Sequence, residues 1–135
     1  MLLICAINPI SSQTDTTALW QMVEEGAEAK DTLSQARAYY KLGIYFDKHD
    51  DQTRSNDYLK RAVELANALE DKRPAAIITN YLAGNYSEQG RHAEVIDLYK
   101  QAYSILVSSG DSVLAADVLM NLGGSHADLG QFDEA

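Results

Sequence analysis

Apolar residues recur along this chain at the intervals of amphipathic helices. In residues 36–46, apolar and small residues lie three and four positions apart, which places them on one face of a helix. Residues 59–66 show the same spacing, and the intervening residues 48–55 are polar and turn-like. This pattern predicts a helical hairpin.

The rest of the chain follows the same pattern, which predicts six complete helices and no strand. Gly90 and Gly130 are suited to a left-handed helix end and mark where helices stop. Asp31, Asp71 and Asp111 precede apolar stretches, where a carboxylate accepts the N–H groups of a first helical turn. The predicted helices are 16–30, 32–48, 54–70, 72–89, 92–109 and 112–129, and a seventh begins near Phe132.

The same positions recur at intervals of 40 residues, so the chain contains an internal repeat. Glycine in mid-helix costs up to about 1 kcal/mol relative to alanine, so a recurrent small residue predicts close approach between helices. Because one helix pair cannot bury its apolar face alone, we expect stacked pairs to form a curved solenoid with a concave side. The columns of this register are Ala36, Ala76 and Ala116; Leu42, Leu82 and Leu122; Gly43, Ala83 and Gly123; Phe46, Tyr86 and His126; Leu59 and Tyr99; and Ala62 and Ala102.

The repeated residues resemble the tetratricopeptide repeat. The period of 40 residues exceeds the usual period of about 34. In its length, the repeat is similar to the long repeats that precede bacterial, Bacteroidetes-type sensor kinases and regulators. Departures from the family pattern are Asp50 in place of a turn glycine, Thr79 in place of a bulky residue and His126 in place of an aromatic residue. The resemblance is carried by Tyr39-x2-Leu42-Gly43-x2-Phe46 with Leu59-x2-Ala62, by Leu82-Ala83-x2-Tyr86-x3-Gly90 with Val95-Ile96-x2-Tyr99-x2-Ala102, and by Leu119-x2-Leu122-Gly123-x6-Gly130.

The resemblance implies an all-α fold, a right-handed superhelical α-solenoid of stacked antiparallel helix pairs. It also implies a non-enzymatic module that binds a protein or peptide on the concave face, which the first helix of each pair lines. We expect the sensory or scaffolding segment of a larger bacterial signalling protein; the alternative is a free-standing adaptor or a self-association module. The expected concave residues are Arg37, Tyr40, Lys41 and Ile44; Ile77, Asn80 and Tyr81; and Asp117, Met120 and Asn121.

The chain is acidic, which narrows the class of partner. It has 11 Lys and Arg residues against 20 Asp and Glu residues, and its formal net charge is −9. A nucleic-acid partner is not expected, because phosphate binding requires a basic surface. Direct binding to anionic lipid is disfavoured for the same reason.

The sequence contains no arrangement typical of a catalytic or metal site. His49 and His92 lie in predicted turns, His126 lies in a predicted core column, and no two histidines have metal-ligand spacing. The acidic cluster at 47–51 lacks the pattern of a calcium loop. We therefore expect no catalytic residues, no bound metal and no cofactor.

The two ends of the chain carry separate expectations. Residues 1–14 are predicted to be an apolar tail or the remnant of a signal peptide, and 15–135 to be a helical repeat domain truncated within its last repeat. A signal peptide would place the protein outside the cytoplasm, in the periplasm or beyond; without one it is cytoplasmic. The helix over 112–129 would lack its partner helix, so we expect four of its apolar residues to be partly uncovered: Leu114, Val118, Leu122 and Leu129. Self-association of the chain through this helix is therefore possible.

Overall fold

The computed structural model describes residues 16–134, and every regular element in that range is an α-helix. The six predicted helices are present, five of them with ends within three residues of those predicted, and the expectations for residues 1–14 lie outside the described range. No helix among the described residues combines the length and the apolar character needed to cross a membrane. The helices are α1 over 16–28, α2 over Thr32–Lys48, α3 over Gln52–Asn67, α4 over Arg73–Glu88, α5 over His92–Ser108 and α6 over Ser112–Glu134.

The chain divides into two compact units, Met1–Ala68 and Leu69–Ala135, here called unit 1 and unit 2. In unit 1, α2 and α3 pack as an antiparallel pair. The Ser55 hydroxyl donates to the carbonyl oxygen of Gly43 at 2.8 Å, while Arg61, further along α3, lies 5.8 Å from the ring centroid of Tyr39, earlier in α2. Leu59 packs so closely on Gly43 that a Cβ there would lie 2.6 Å from the Leu59 Cγ. The close approach predicted at Gly43 is therefore confirmed.

In unit 2, α5 packs against both α4 and α6. The guanidinium of Arg91, at the start of α5, lies 3.9 Å from the ring centroid of Tyr86, near the end of α4. Apolar side chains from all three helices form the core of this unit. Its buried members are Ala75, Ala76, Ile78, Leu82, Ala83, Tyr86, Val95, Ile96, Tyr99, Ala102, Leu106, Ala115 and Val118.

Four residues with positive φ end the helices, and they are 20 or 40 positions apart. They are Lys30 at 55°, Asp50 at 59°, and Gly90 and Gly110, both at 77°. Asp50 therefore adopts the left-handed conformation of the glycine that it replaces in the repeat pattern. A residue in this conformation closes the helix and turns the chain into the next one.

The predicted helix-start aspartates behave differently at the three repeats. Asp31 accepts the N–H of Ser34 at 3.1 Å, and Asp111 accepts the N–H of Leu114 at 3.2 Å, so both cap their helices as predicted. Asp71 instead accepts the N–H and the guanidinium of Arg73, at 3.0 and 2.7 Å. These hydrogen bonds lower the pKa of Asp71 to about 2.

Burial supports the 40-residue register in the first two repeats but not in the third. On α2, Ala36, Leu42 and Gly43 are buried, and their equivalents on α4 are buried as well. On α6, Leu122 is half-buried, and the equivalents of Ala36 and Gly43 are exposed. The difference arises because α3 covers α2 and α5 covers α4, whereas no described helix follows α6.

Three predictions for the third repeat are wrong, two of them because no described helix covers α6. His126 is exposed rather than packed in a core column, and no atom lies within 4 Å of a Cβ added at Gly123. Val118 is fully buried rather than partly uncovered, because it faces the core of unit 2; Leu114, Leu122 and Leu129 are half-buried as expected.

The predicted helix break at Gly130 is also wrong, since α6 continues unbroken to Glu134 and no seventh helix begins near Phe132. Gly130 is not among the positive-φ glycines. Glycine permits a left-handed end without imposing one. At Gly90 and Gly110 the following helix packs back against the one that has ended, and within residues 16–134 no helix follows α6 to favour such a break.

Candidate functional site

The four concave residues predicted on α2 form a patch within unit 1. Arg37 and Lys41 are exposed one helical turn apart, so two cationic side chains lie side by side. Tyr40 and Ile44 lie beside them and are half-buried. Burial raises the pKa of the Tyr40 hydroxyl, which keeps this ring neutral and a hydrogen-bond donor at physiological pH.

The six concave residues predicted on α4 and α6 lie together in unit 2. The side-chain nitrogen Nδ2 of Asn121 donates to Oδ1 of Asn80 at 3.3 Å, which joins the two helices on an exposed surface. We call the surface around this bond the α4–α6 face. Its members are Ile77, Asn80 and Tyr81 on α4, and Asp117, Met120 and Asn121 on α6.

The asparagine pair has the hydrogen-bonding capacity that an extended peptide requires. Each amide side chain carries two N–H donors and one carbonyl acceptor. The Asn80–Asn121 bond uses one donor of Asn121 and part of the acceptor capacity of Asn80. The remaining groups, an amide NH2 on Asn80 and a carbonyl on Asn121, match the C=O and N–H groups of a peptide backbone.

Apolar side chains flank the asparagine pair. Ile77 is 38% exposed and Met120 is 75% exposed, so both present hydrocarbon surface to solvent. Methionine adapts its shape readily, which suits a surface that accommodates different apolar side chains. Asp117 is exposed on the same face and provides its negative charge.

Sequence reasoning missed a half-exposed aromatic cluster in unit 1. Trp20 on α1 makes edge-to-face contacts with Tyr39 and Tyr58, at centroid distances of 6.2 and 5.5 Å. Tyr58 also stacks on Phe46 at 5.4 Å, and the Arg54 guanidinium lies 5.4 Å from the Phe46 centroid. The core spacing of these aromatics was visible in the sequence, but their convergence from three helices requires the tertiary packing.

The part of the chain that the structure describes holds no group of three or more His, Cys, Asp or Glu residues arranged to bind a metal. His49, in the turn after α2, stacks on Tyr45 with its ring centroid 4.1 Å away, and its Nδ1 lies 2.7 Å from the Tyr45 carbonyl oxygen. This histidine therefore has a local structural role at the helix end.

Comparison with known proteins finds a matching repeat family and a similar solved structure. Residues 74–135 match the model of the tetratricopeptide repeat family. Among solved structures, the chain is similar to BtubC (BKLC) from P. vanneervenii, with a TM-score of 0.70 and 20% identity. The similarity covers 90% of this chain and 52% of that chain, so this chain spans about half the length of BtubC. A search of curated proteins finds no match to this chain.

These comparisons support the fold at two levels. The family match covers residues 74–135, which include nearly all of α4 and the whole of α5 and α6, and it supports a repeat of tetratricopeptide type there. At 20% identity, the similarity to BtubC shows the fold alone. The predicted all-α fold of tetratricopeptide type is therefore confirmed, and members of this family generally bind proteins or peptides.

Proposed function

We propose that this chain is a non-enzymatic module that binds an extended segment of a protein on the α4–α6 face. The Asn80–Asn121 hydrogen bond is the observation that carries the proposal. It places amide groups from two consecutive first helices side by side on an exposed surface. A partner that spans both helices therefore meets a donor on Asn80 and an acceptor on Asn121, in two amide groups that are hydrogen-bonded to each other.

Recognition on this face combines two kinds of contact. Asn80 and Asn121 bind the peptide backbone, which gives affinity with little dependence on the peptide sequence. Ile77 and Met120 pack against apolar side chains of the peptide, which provides the preference for certain sequences. Asp117 favours a ligand with a cationic residue near its apolar positions.

The four predicted residues on α2, here called the α2 patch, offer a second surface. This patch is positively charged, whereas Asp117 makes the α4–α6 face negative. Arg37 and Lys41 attract an acidic segment, and Tyr40 and Ile44 add apolar area beside the two cations. Two cations on one helix do not form the dense basic cluster that a carboxylate clamp requires. We therefore assign the α2 patch a supporting role in partner selection.

In the proposed cellular context the module is the sensory or scaffolding segment of a larger bacterial signalling protein with long, 40-residue repeats. The 40-residue period is the feature from which this context is proposed, and the family match supports only a repeat of the kind that generally binds proteins or peptides. The alternative is a free-standing adaptor, or a self-association module, without an effector domain. The sequence of the complete gene, together with sedimentation of the purified chain at several concentrations, distinguishes these possibilities.

The test uses a phage-displayed library of random 12-residue peptides selected on the full chain. Peptides that bind the wild-type chain are expected to lose about three- to tenfold in affinity with Asn80→Ala or Asn121→Ala, since each removes about one hydrogen bond's net contribution. Gln101→Ala, an exposed amide on α5, is the matched control and should leave the affinity unchanged. Selected peptides that bind both asparagine variants as tightly as the wild type would contradict the proposal, as would a library that yields no binder.

A further inference from the structure

Two glycines leave a gap in the α4–α6 face, one helical turn beyond the asparagine pair. Gly84 follows Asn80 by four positions, and Gly124 follows Asn121 by three, so each glycine lies on the same side of its helix as the asparagine. Three-residue turns join α4 to α5 and α5 to α6, so α4 and α6 are both antiparallel to α5 and run in the same direction. At this turn of the face neither helix has a side chain, and we call the gap at Gly84 and Gly124 the slot.

The hydroxyl of a buried tyrosine borders the slot. Tyr99 belongs to α5 and is only 4% exposed, so its ring lies in the core of unit 2. Its hydroxyl oxygen is 3.9 Å from the point where a Cβ at Gly84 would lie. Apart from the adjoining residues and the backbone of α4, no other heavy atom of the described residues is within 4 Å of that point. The polar end of the Tyr99 side chain is therefore the part that meets the slot.

The Tyr99 hydroxyl has no hydrogen-bond partner among the residues that the structure describes. A buried tyrosine hydroxyl usually has one. Burial raises the pKa of Tyr99, and the carboxylate of Glu88 raises it further, which indicates that this charge lies within range of the hydroxyl. The hydroxyl is therefore neutral at physiological pH, and its oxygen is available to donate to a bound ligand or to accept from one.

Carboxylates flank the slot along both helices. Glu88 on α4 and Asp128 on α6 each follow the glycine of their helix by about one turn, and Asp117 precedes the glycine of α6 by two turns. All three are exposed, and none of them forms an ion pair with another described residue. After its first residue α4 contains no lysine or arginine, and α6 contains none at all. The charge around the slot therefore favours a cationic group.

We propose that the slot binds a lysine side chain of the peptide on the α4–α6 face. The two glycines leave room for the unbranched lysine stem. The ammonium group has three N–H donors, and the acceptors beside the slot are the Tyr99 hydroxyl oxygen, the Glu88 carboxylate and one lone pair of the Asn121 carbonyl. This inference rests on the proposed function, because the peptide must cross both helices for its side chain to enter the slot. It adds a position at which the peptide sequence matters.

The test begins with the 12-residue peptides selected on the wild-type chain. We expect these peptides to share a lysine at one position of their alignment. A synthetic copy of the tightest peptide, with norleucine in place of that lysine, keeps the hydrocarbon stem and loses the charge. It should bind about tenfold or more weakly, because a hydrogen bond to a charged group contributes more than a neutral one.

Removal of one hydroxyl tests the role of Tyr99. Tyr99→Phe keeps the buried ring, so the fold is retained. It should weaken the lysine peptide about three- to tenfold and the norleucine peptide less than about twofold. Tyr103→Phe, which removes a hydroxyl from the next turn of α5, is the matched control and should change neither affinity. A general effect of Tyr99 on folding would weaken both peptides equally.

Two neighbouring glycines on α6 provide a second matched pair of variants. Gly123 and Gly124 are both helical, exposed and free of atoms within 4 Å of an added Cβ, so leucine fits at each in the free chain. Gly124→Leu should weaken the lysine peptide about tenfold or more, because the new side chain fills the slot. Gly123→Leu points to another side of α6 and should change the affinity less than about twofold.

The results separate the failure of the slot from the failure of the proposed function. Peptides that lose affinity with Asn80→Ala and Asn121→Ala but share no lysine would overturn the slot and leave the proposed function standing. Equal binding of the lysine peptide to the wild type and to Tyr99→Phe would do the same, as would equal weakening by Gly123→Leu and Gly124→Leu. A library without binders, or binders indifferent to both asparagine variants, would overturn the proposed function and the slot with it.

Discussion

Gly43 and Gly123 occupy the same column of the repeat, yet a methyl group added at each meets different surroundings. At Gly43 the new Cβ would lie 2.6 Å from Cγ of Leu59, which is fully buried and has no room to move away. At Gly123 it would meet open space. Overpacking costs about 1–3 kcal/mol, whereas removing glycine from a helix gains at most about 1 kcal/mol.

We therefore predict that the two alanine substitutions change stability in opposite directions. Gly43→Ala should lower the free energy of unfolding by about 1–2 kcal/mol, and Gly123→Ala should raise it by up to about 1 kcal/mol. Urea unfolding followed by circular dichroism measures both. Adding Leu59→Ala to Gly43→Ala should show a favourable coupling, because the smaller side chain removes the clash. Stabilisation by Gly43→Ala would contradict the packing described for α2 and α3.

At the scale of the residue, the sequence predicts that this column needs a small residue. It does not show in which repeats a second helix lies close to that residue. The cost of glycine in mid-helix is a local property, and it correctly indicated the contact at Gly43. The contact itself depends on α3, which lies elsewhere in the chain. Gly123 has the same local sequence signal without a covering helix, so its role was predicted wrongly.

At the scale of the element, helix boundaries were the more predictable feature. Asp31 and Asp111 cap their helices through their own side chains, and Gly90 adopts the left-handed conformation that its position predicted. These signals act within one turn of the chain, so they can be read locally. The continuation of α6 through Gly130 could not be read in this way, because ending a helix there depends on whether a following helix packs back.

At the start of α4 an aspartate one position before the N-cap binds the first helical residue, which makes the stability of this helix end sensitive to pH. Its N-cap residue, Lys72, makes no side-chain capping bond, and Asp71 instead binds the backbone and guanidinium of Arg73. The pKa of Asp71 is lowered to about 2, chiefly by the side-chain hydrogen bond from Arg73. A carboxylate with a lowered pKa in the folded state stabilises the fold above its ordinary pKa of 3.8 and loses that contribution as pH falls toward 2.

We predict that Arg73→Ala raises the pKa of Asp71 toward its ordinary value. The carboxyl ¹³C resonance of Asp71 should titrate near 2 in the wild type and closer to 3.8 in the variant. The pKa of Asp31, which is lowered mainly by the Ser34 hydroxyl, should not move and serves as the internal control. The stability difference between wild type and variant should shrink between about pH 4 and pH 2. An unchanged titration of Asp71 in the variant would show that Arg73 is not the cause.

For the whole molecule, the 40-residue period predicted the fold class and the residues of the candidate binding faces. It did not predict which side chains from different helices contact each other. The 40-residue register placed Asn80 and Asn121 on first helices, while their hydrogen bond became visible only when α4 and α6 were positioned side by side. The aromatic cluster at Trp20 had no distinct signal in the sequence. It depends on which helices converge, and a hydrophobic period records only that some surface must be covered.

The net charge of −9 leads to the last prediction, because repulsion among 20 acidic residues opposes the compact state. The ion pairs Arg54–Asp51, Arg73–Asp71 and Arg91–Glu94 act in the other direction, but all are exposed, and such pairs contribute at most about 1 kcal/mol each. Salt screens both effects. Since repulsion involves the whole acidic excess, we expect its screening to dominate.

We therefore predict that the Tm of the chain rises when NaCl is increased from about 20 mM to 500 mM, by at least about 2 °C, or roughly 0.5 kcal/mol for a chain of this size. The control is a variant with four exposed acids changed to lysine: Glu24→Lys, Glu28→Lys, Glu64→Lys and Asp97→Lys. Each change removes two units of negative charge, so the variant is nearly neutral and its Tm should respond little to salt. A Tm that falls with salt in the wild type would show instead that the local ion pairs outweigh the repulsion. An equal rise in both proteins would assign the effect to hydrophobic burial, which added salt can also strengthen.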